Sequence, residues 1–162
     1  MICKNSFTQP KFYVHNYRIY SNSSDGGVGT YTSEVIVKTI PAAIDFDPDT
    51  LKLKKKGKGR CTVYIELPAG YDVANIDLST IKLNGVVSPI TDPKYGFVTD
   101  PDSYIVDHDS DGILERMVKF DRAEVEAILS AGEEVSITID GKVLYNGGLA
   151  DFEGSDIIKV KE

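Results

Sequence analysis

Cys61-Thr62-Val63-Tyr64-Ile65-Glu66-Leu67 alternates apolar and mixed residues at every step. Side chains of an extended chain point to opposite faces in turn, so Cys61, Val63, Ile65 and Leu67 face a core, while Thr62, Tyr64 and Glu66 face away from it. Val135, Ile137 and Ile139 repeat the pattern against Ser136 and Thr138, and Asp140-Gly141 then reads as a hairpin signal leading into 142–145. Outward from these two stretches, further strands are predicted at 12–20, 31–39, 44–46, 79–83, 116–120 and 156–160. About nine short strands with almost no helical period define an all-β chain, expected to be a sandwich of Ig-like or jelly-roll-like form, with a partly closed barrel as the alternative. One short helix interrupts it. Asp121 caps it, Glu124 follows three residues on, Val125, Ile128 and Leu129 share a face, and Gly132 ends it.

Residues 1–43 read differently from the rest. An aromatic strand KFYVHNYRIY (11–20) is followed by the loop SNSSDGGVGT (21–30) and a second strand ending before Pro41. Residues 1–43 are expected to form an N-terminal strand extension with a Gly-rich linker ahead of a sandwich domain at 44–162; an ordinary first strand of that same sandwich is the alternative. The net charge of −7 repels phosphate backbones and anionic bilayers, which argues against nucleic acid as a partner. No apolar run approaches the ~20 residues of a membrane-spanning helix, and MICKNSFTQP lacks the pattern of a signal peptide. Cys3 and Cys61 belong to no CxxC or Cys/His pattern. They either form one bridge or are both free.

The most specific motif is Asp107-His108-Asp109-Ser110-Asp111-Gly112-Ile113-Leu114-Glu115, which has the spacing DxDxDGxxE. In a calcium loop of this kind, side chains at positions 1, 3 and 5 converge, a glycine at 6 allows the sharp turn, and the carbonyl at 7 supplies another oxygen. The expected ligands are Asp107, Asp109, Asp111, the Ile113 carbonyl and Glu115, the last directly or through water. Leu114 is expected to anchor the loop in the core, and His108 to point outward. Converging carboxylates repel one another, and a hard dication removes that penalty. Calcium suits an all-oxygen ring better than magnesium, which retains water. The glutamate of position 12 is replaced by Val118, so another carboxylate must serve, with Asp100, Asp102 and Asp121 as candidates.

Asp45, Asp47 and Asp49 form a less specific set, read mainly as a polar strand face and the turn that follows where Pro48 breaks the alternation, with an ion site as the alternative. The basic run Lys52, Lys54, Lys55, Lys56, Lys58 and Arg60, interrupted by Gly57 and Gly59, reads as a solvated hairpin loop that protects a strand edge. Contact with an anionic polysaccharide or an acidic neighbour is its alternative. His15 and His108 make no triad by spacing, and GxSxG, HExxH and phosphate-loop patterns do not occur, so no enzyme is expected.

The stretches IDFDPDTLKL, VYIELPAGYDV, IDLSTIKLNG, DHDSDGILERMVKFDR and FEGSDIIKV, in that order, resemble a poorly characterised β module of secreted and surface proteins of archaea and bacteria. The acidic loop is also similar to those of thrombospondin type 3 repeats. The resemblance implies an extracellular or cell-surface location and a calcium-stabilised architecture. The expected function is a structural or adhesive module whose partners are itself or other surface proteins, with fibre formation by addition of the N-terminal strand to a neighbour. A carbohydrate-binding accessory module, with tyrosines as the stacking surface for a glycan, is the alternative.

Overall fold

A computed structural model of the chain describes residues 12–20, 30–53 and 59–162, the first two strands by their backbone alone. The chain divides into two compact units, Met1–Thr39 and Ile40–Glu162. In the first, β1 (Phe12–Tyr20) pairs antiparallel with β2 (Thr30–Lys38) along its whole length, from Phe12 opposite Lys38 to Tyr20 opposite Thr30. The two form a sheet of their own.

The second unit is an all-β sandwich with one short helix and a further single turn of helix. Its strands are β3 (Ile40–Pro41), β4 (Ala43–Asp47), β5 (Thr50–Lys52), β6 (Arg60–Glu66), β7 (Ile76–Leu83), β8 (Ile105–Val106), β9 (Glu115–Asp121), β10 (Gly132–Tyr145) and β11 (Gly148–Lys161). One sheet has the order β3-β11-β10-β7, with β5 also on β11; the other has the order β4-β6-β9-β8. The alternation that predicted β6 is realised, because Cys61, Val63 and Ile65 are fully buried and meet Phe46, Val118 and Phe120 in a single core with Ile137, Ile139, Val143 and Phe152 of the facing sheet. Phe46 is buried while Asp45 and Asp47 on either side of it are exposed, as their parity on β4 requires.

The helix is α2 (Arg122–Ile128); α1 (Gly96–Thr99) is the single turn. Asp121 caps α2 by accepting hydrogen bonds from the Ala123 and Glu124 amides at 2.8 and 3.3 Å, and Val125 fixes it to the core. The helix stops at Ile128, and Gly132 opens β10 rather than ending α2.

Asp140-Gly141 makes no turn. β10 runs through it, and the hairpin closes at Asn146-Gly147, whose φ angles of 50° and 79° suit a two-residue turn between strands twisted to the right. Gly141 is required for a different reason: it lies opposite Phe152, and a Cβ on it would sit 2.8 Å from the Phe152 ring. Cys61 is a free thiol in the core, and burial pushes its pKa up to about 11. Cys3 lies outside the described residues, as do Lys54, Lys55, Lys56 and Lys58 of the basic run and the side chain of His15.

Candidate metal centre

β8 and β9 are joined by the acidic loop. Their ladder is only two pairs long, Ile105 with Arg116 and Val106 with Glu115, and it brings the loop's two ends together. Between those ends the backbone turns on its own side chains. The Asp111 amide donates to Asp109 Oδ1 at 3.1 Å, the Ile113 amide to Asp111 Oδ1 at 2.8 Å, and the Gly112 amide to Asp107 Oδ2 at 3.2 Å. Short Asp side chains favour such local bonds over a ladder. Ser110 at φ 63° and Gly112 at φ 90° take the left-handed conformations that complete the turn. Asp107, Asp109 and Asp111 are exposed, and one carboxylate oxygen from each lies within 4.8 Å of the others. That cluster can hold a metal ion.

Glu115 stands apart from this trio. Only 6% exposed, it turns its Oε2 to the His108 amide at 2.7 Å, closing the loop from its far end. Leu114 does not anchor the loop in the core, since it is 55% exposed and Ile113 beside it is also exposed. Leu114 precedes β9, so it belongs to the exposed loop and not to the strand; within the strand Arg116, Val118 and Phe120 take the interior face, and Glu115 takes the outer face, where the loop folds over it. His108 is exposed, in keeping with its expected outward position in the loop. Its ring stacks on Tyr64 with centroids 3.7 Å apart and an interplanar angle of 9°, and its Nε2 is 3.6 Å from Asp45 Oδ2.

The three carboxylates expected to replace the missing glutamate are engaged elsewhere. Asp121 caps α2, Asp102 pairs with Arg116 at 3.1 Å, and Asp100 accepts the Ser103 hydroxyl at 2.6 Å. The structure instead brings up Glu66, which sequence reasoning missed. Glu66 is the outward-facing residue at the end of β6. Together with Asp45, Asp109, Glu115, Tyr64, Ala43 and Ile44 it lines a cavity of about 110 Å³ beside the loop. Its signal was present in the alternation, which puts Tyr64 and Glu66 on one face, but the pairing of Asp45 with Tyr64 and of Ala43 with Glu66 was needed to reveal it.

Burial holds the carboxyls of Glu115, Glu66 and Asp45 above their usual range. Neighbouring carboxylates add to this: Asp109 and Asp107 act on Glu115, Asp111, Glu115 and Asp109 on Glu66, and Asp156, Asp49 and Asp47 on Asp45. The His108 amide and ring pull Glu115 back toward ionisation, and the ring does the same for Asp45.

A carboxyl whose pKa is raised by folding contributes stability that is complete below its unfolded value and is lost as pH rises through its folded value. The isosteric Glu115→Gln variant keeps an acceptor for the His108 amide and cannot ionise. In chelator it is expected to melt above the wild type at pH 7, with the gap closing as pH falls toward ~4. Thermal melts in that range check it, and equal melting temperatures throughout would remove the electrostatic account of the loop.

Comparison of the chain with protein families, with curated proteins and with solved structures returns no match. The case for function therefore stands on the geometry described above.

Proposed function

We propose that this chain is a calcium-stabilised structural or adhesive module of the cell surface or extracellular space. The observation that carries the reading is the convergence of Asp107, Asp109 and Asp111 oxygens within 4.8 Å on a loop whose backbone is already folded around them. Calcium is the cation of choice for such a ring, with the Ile113 carbonyl as a further ligand and Glu115 and Glu66 as reserve carboxylates. Extracellular calcium is millimolar, which matches an incomplete ligand set with a Kd on the order of 10⁻⁴ to 10⁻³ M.

Titration calorimetry and melting with and without chelator test it. At ten to a hundred times Kd, calcium is expected to stabilise the sandwich by about 1.4–2.7 kcal/mol, which raises its melting temperature by roughly 5–10 °C. Magnesium at the same concentration is expected to do much less. The double variant D109N/D111N should melt at one temperature in calcium and in chelator. If the wild type itself melts identically in both, the reading fails.

The assembly part of the proposal draws on β1 and β2, which pair with each other and with no other described strand. A two-stranded hairpin is marginal alone, and its outer edges are suited to addition onto a neighbour's sheet. Sizing of the same preparations with and without residues 1–29 tests this part, and an unchanged size distribution removes it. The carbohydrate alternative gains nothing from Tyr95, which stacks on Phe97 at 5.1 Å and is covered by the Arg60 guanidinium at 4.5 Å; among the described residues the exposed tyrosine ring is that of Tyr145.

A further inference from the structure

We propose that Arg116 is the residue through which the acidic loop is held to the rest of the sandwich, so that a cation bound at 107–111 also stiffens two turns outside it, the adjoining Pro101–Tyr104 and the sequence-distant Val73–Asn75. The inference rests on the metal reading above. Strand parity puts Arg116 on the interior face of β9 with Val118 and Phe120, where an aliphatic side chain would ordinarily sit. It is 2% exposed. A guanidinium is tolerated there because acceptors replace the water it has lost. Its Nε donates to the Val73 carbonyl at 3.2 Å, and Nη2 donates to the Ala74 carbonyl and to Asp102 Oδ1, both at 3.1 Å. Nη1 donates to the Pro101 carbonyl at 2.7 Å. A planar fork with five donors on three nitrogens can serve these four acceptors on two separate segments; an ammonium, with three donors on one nitrogen, cannot.

The placement matters because the Pro101–Tyr104 turn leads through β8 straight into Asp107, and Arg116 itself follows Glu115. One side chain therefore holds both the entry and the exit of the loop. The two-pair ladder between β8 and β9 is too short to do this alone. A loop whose stem is already fixed loses less freedom when its carboxylates gather on an ion, so Arg116 raises cation affinity without touching the cation. Linkage makes the effect reciprocal: a bound cation tightens whatever Arg116 holds, including Val73 and Ala74, more than forty residues away in sequence.

The test is calcium titration of the wild type, R116K, R116M and D102N, with amide hydrogen exchange followed in calcium and in chelator. In the wild type, calcium is expected to slow exchange at 73–76 and 101–106 as well as in the loop. R116K and R116M are expected to bind calcium about tenfold more weakly and to lose the slowing at 73–76 while keeping it in the loop. D102N retains all three carbonyl bonds and should stay close to wild-type affinity. A merely structural arginine would lower the melting temperature of R116K equally in calcium and chelator and leave its calcium affinity unchanged. That result, or wild-type binding with no change in exchange at 73–76, overturns the inference. Should R116M fail to fold, R116K and the wild-type exchange data still decide. Absence of calcium binding by the wild type sinks the metal reading itself, and this inference with it.

Discussion

Phe152→Ala is expected to destabilise the sandwich by about 3–5 kcal/mol, the usual cost of truncating a fully buried phenylalanine in a core that cannot collapse around the gap. Phe152 is 1% exposed and sits at the centre of the larger sheet, directly opposite Gly141 on β10. Its ring occupies the space where a Cβ of residue 141 would be, at 2.8 and 2.9 Å from Cζ and Cε1. An aromatic ring covering a strand glycine in this way recovers the packing that the glycine lacks. The pairing makes a sharper test than either substitution alone. Gly141→Ala should cost about 1–3 kcal/mol by overpacking in the wild type, and considerably less in the F152A background, where the ring is gone. Urea denaturation of the four proteins gives the coupling energy, which is expected to be at least ~1 kcal/mol. Additive costs would show that Gly141 is there for another reason.

Gly154→Ala should cost about 3 kcal/mol or more, because the obstacle is backbone and cannot rotate away. After pairing with β11 as β3, the chain leaves one sheet at Ala42 and enters the other as β4, crossing the face of Gly154 as it does so. A Cβ at 154 would lie 2.2 Å from the Ala42 carbonyl oxygen and 2.7 Å from Ile44 Cγ1. To admit it, the crossing must lift, and the Ala42 amide then loses its 2.9 Å bond to the Glu153 carbonyl. Ala43, Ile44 and Asp45 lie just beyond that crossing and line the cavity at the acidic loop, so the damage reaches the candidate metal centre. Melting of the variant is expected roughly 10 °C or more below the wild type, and under the calcium proposal its affinity for that ion falls too. A melting temperature within a degree or two of the wild type would contradict the crossing geometry.

The two glycines show where sequence reading stops. Gly141 follows an aspartate and looks like a turn; Gly154 lies in FEGSD and carries no signal at all. What each glycine makes room for, a ring from the next strand or a carbonyl from the start of the domain, is set by register between segments far apart in the chain. The same holds at the candidate site. The DxDxDG spacing was legible because its hydrogen bonds run between residues two to five apart. Glu66 was not, because it approaches from β6 across a ladder. Asp102 and Asp121 looked available until Arg116 and the α2 amides were seen to hold them. Leu114 looked buried because it is apolar, but the ladder begins only at Glu115, so Leu114 stays in the exposed loop and the first interior position of β9 falls to Arg116.

By itself, then, the order of residues determined everything that depends on near neighbours: strand faces from alternation, the Asp121 cap, and an acidic loop folded on its own amides. Only the tertiary structure decided which glycine turns and which receives a ring, which carboxylates stay free beside the loop, and that a charged side chain closes one end of the core. The reason is that pleat, capping and loop turns are satisfied within a few residues, whereas packing space and hydrogen-bond partners are allotted between strands that the sequence keeps apart.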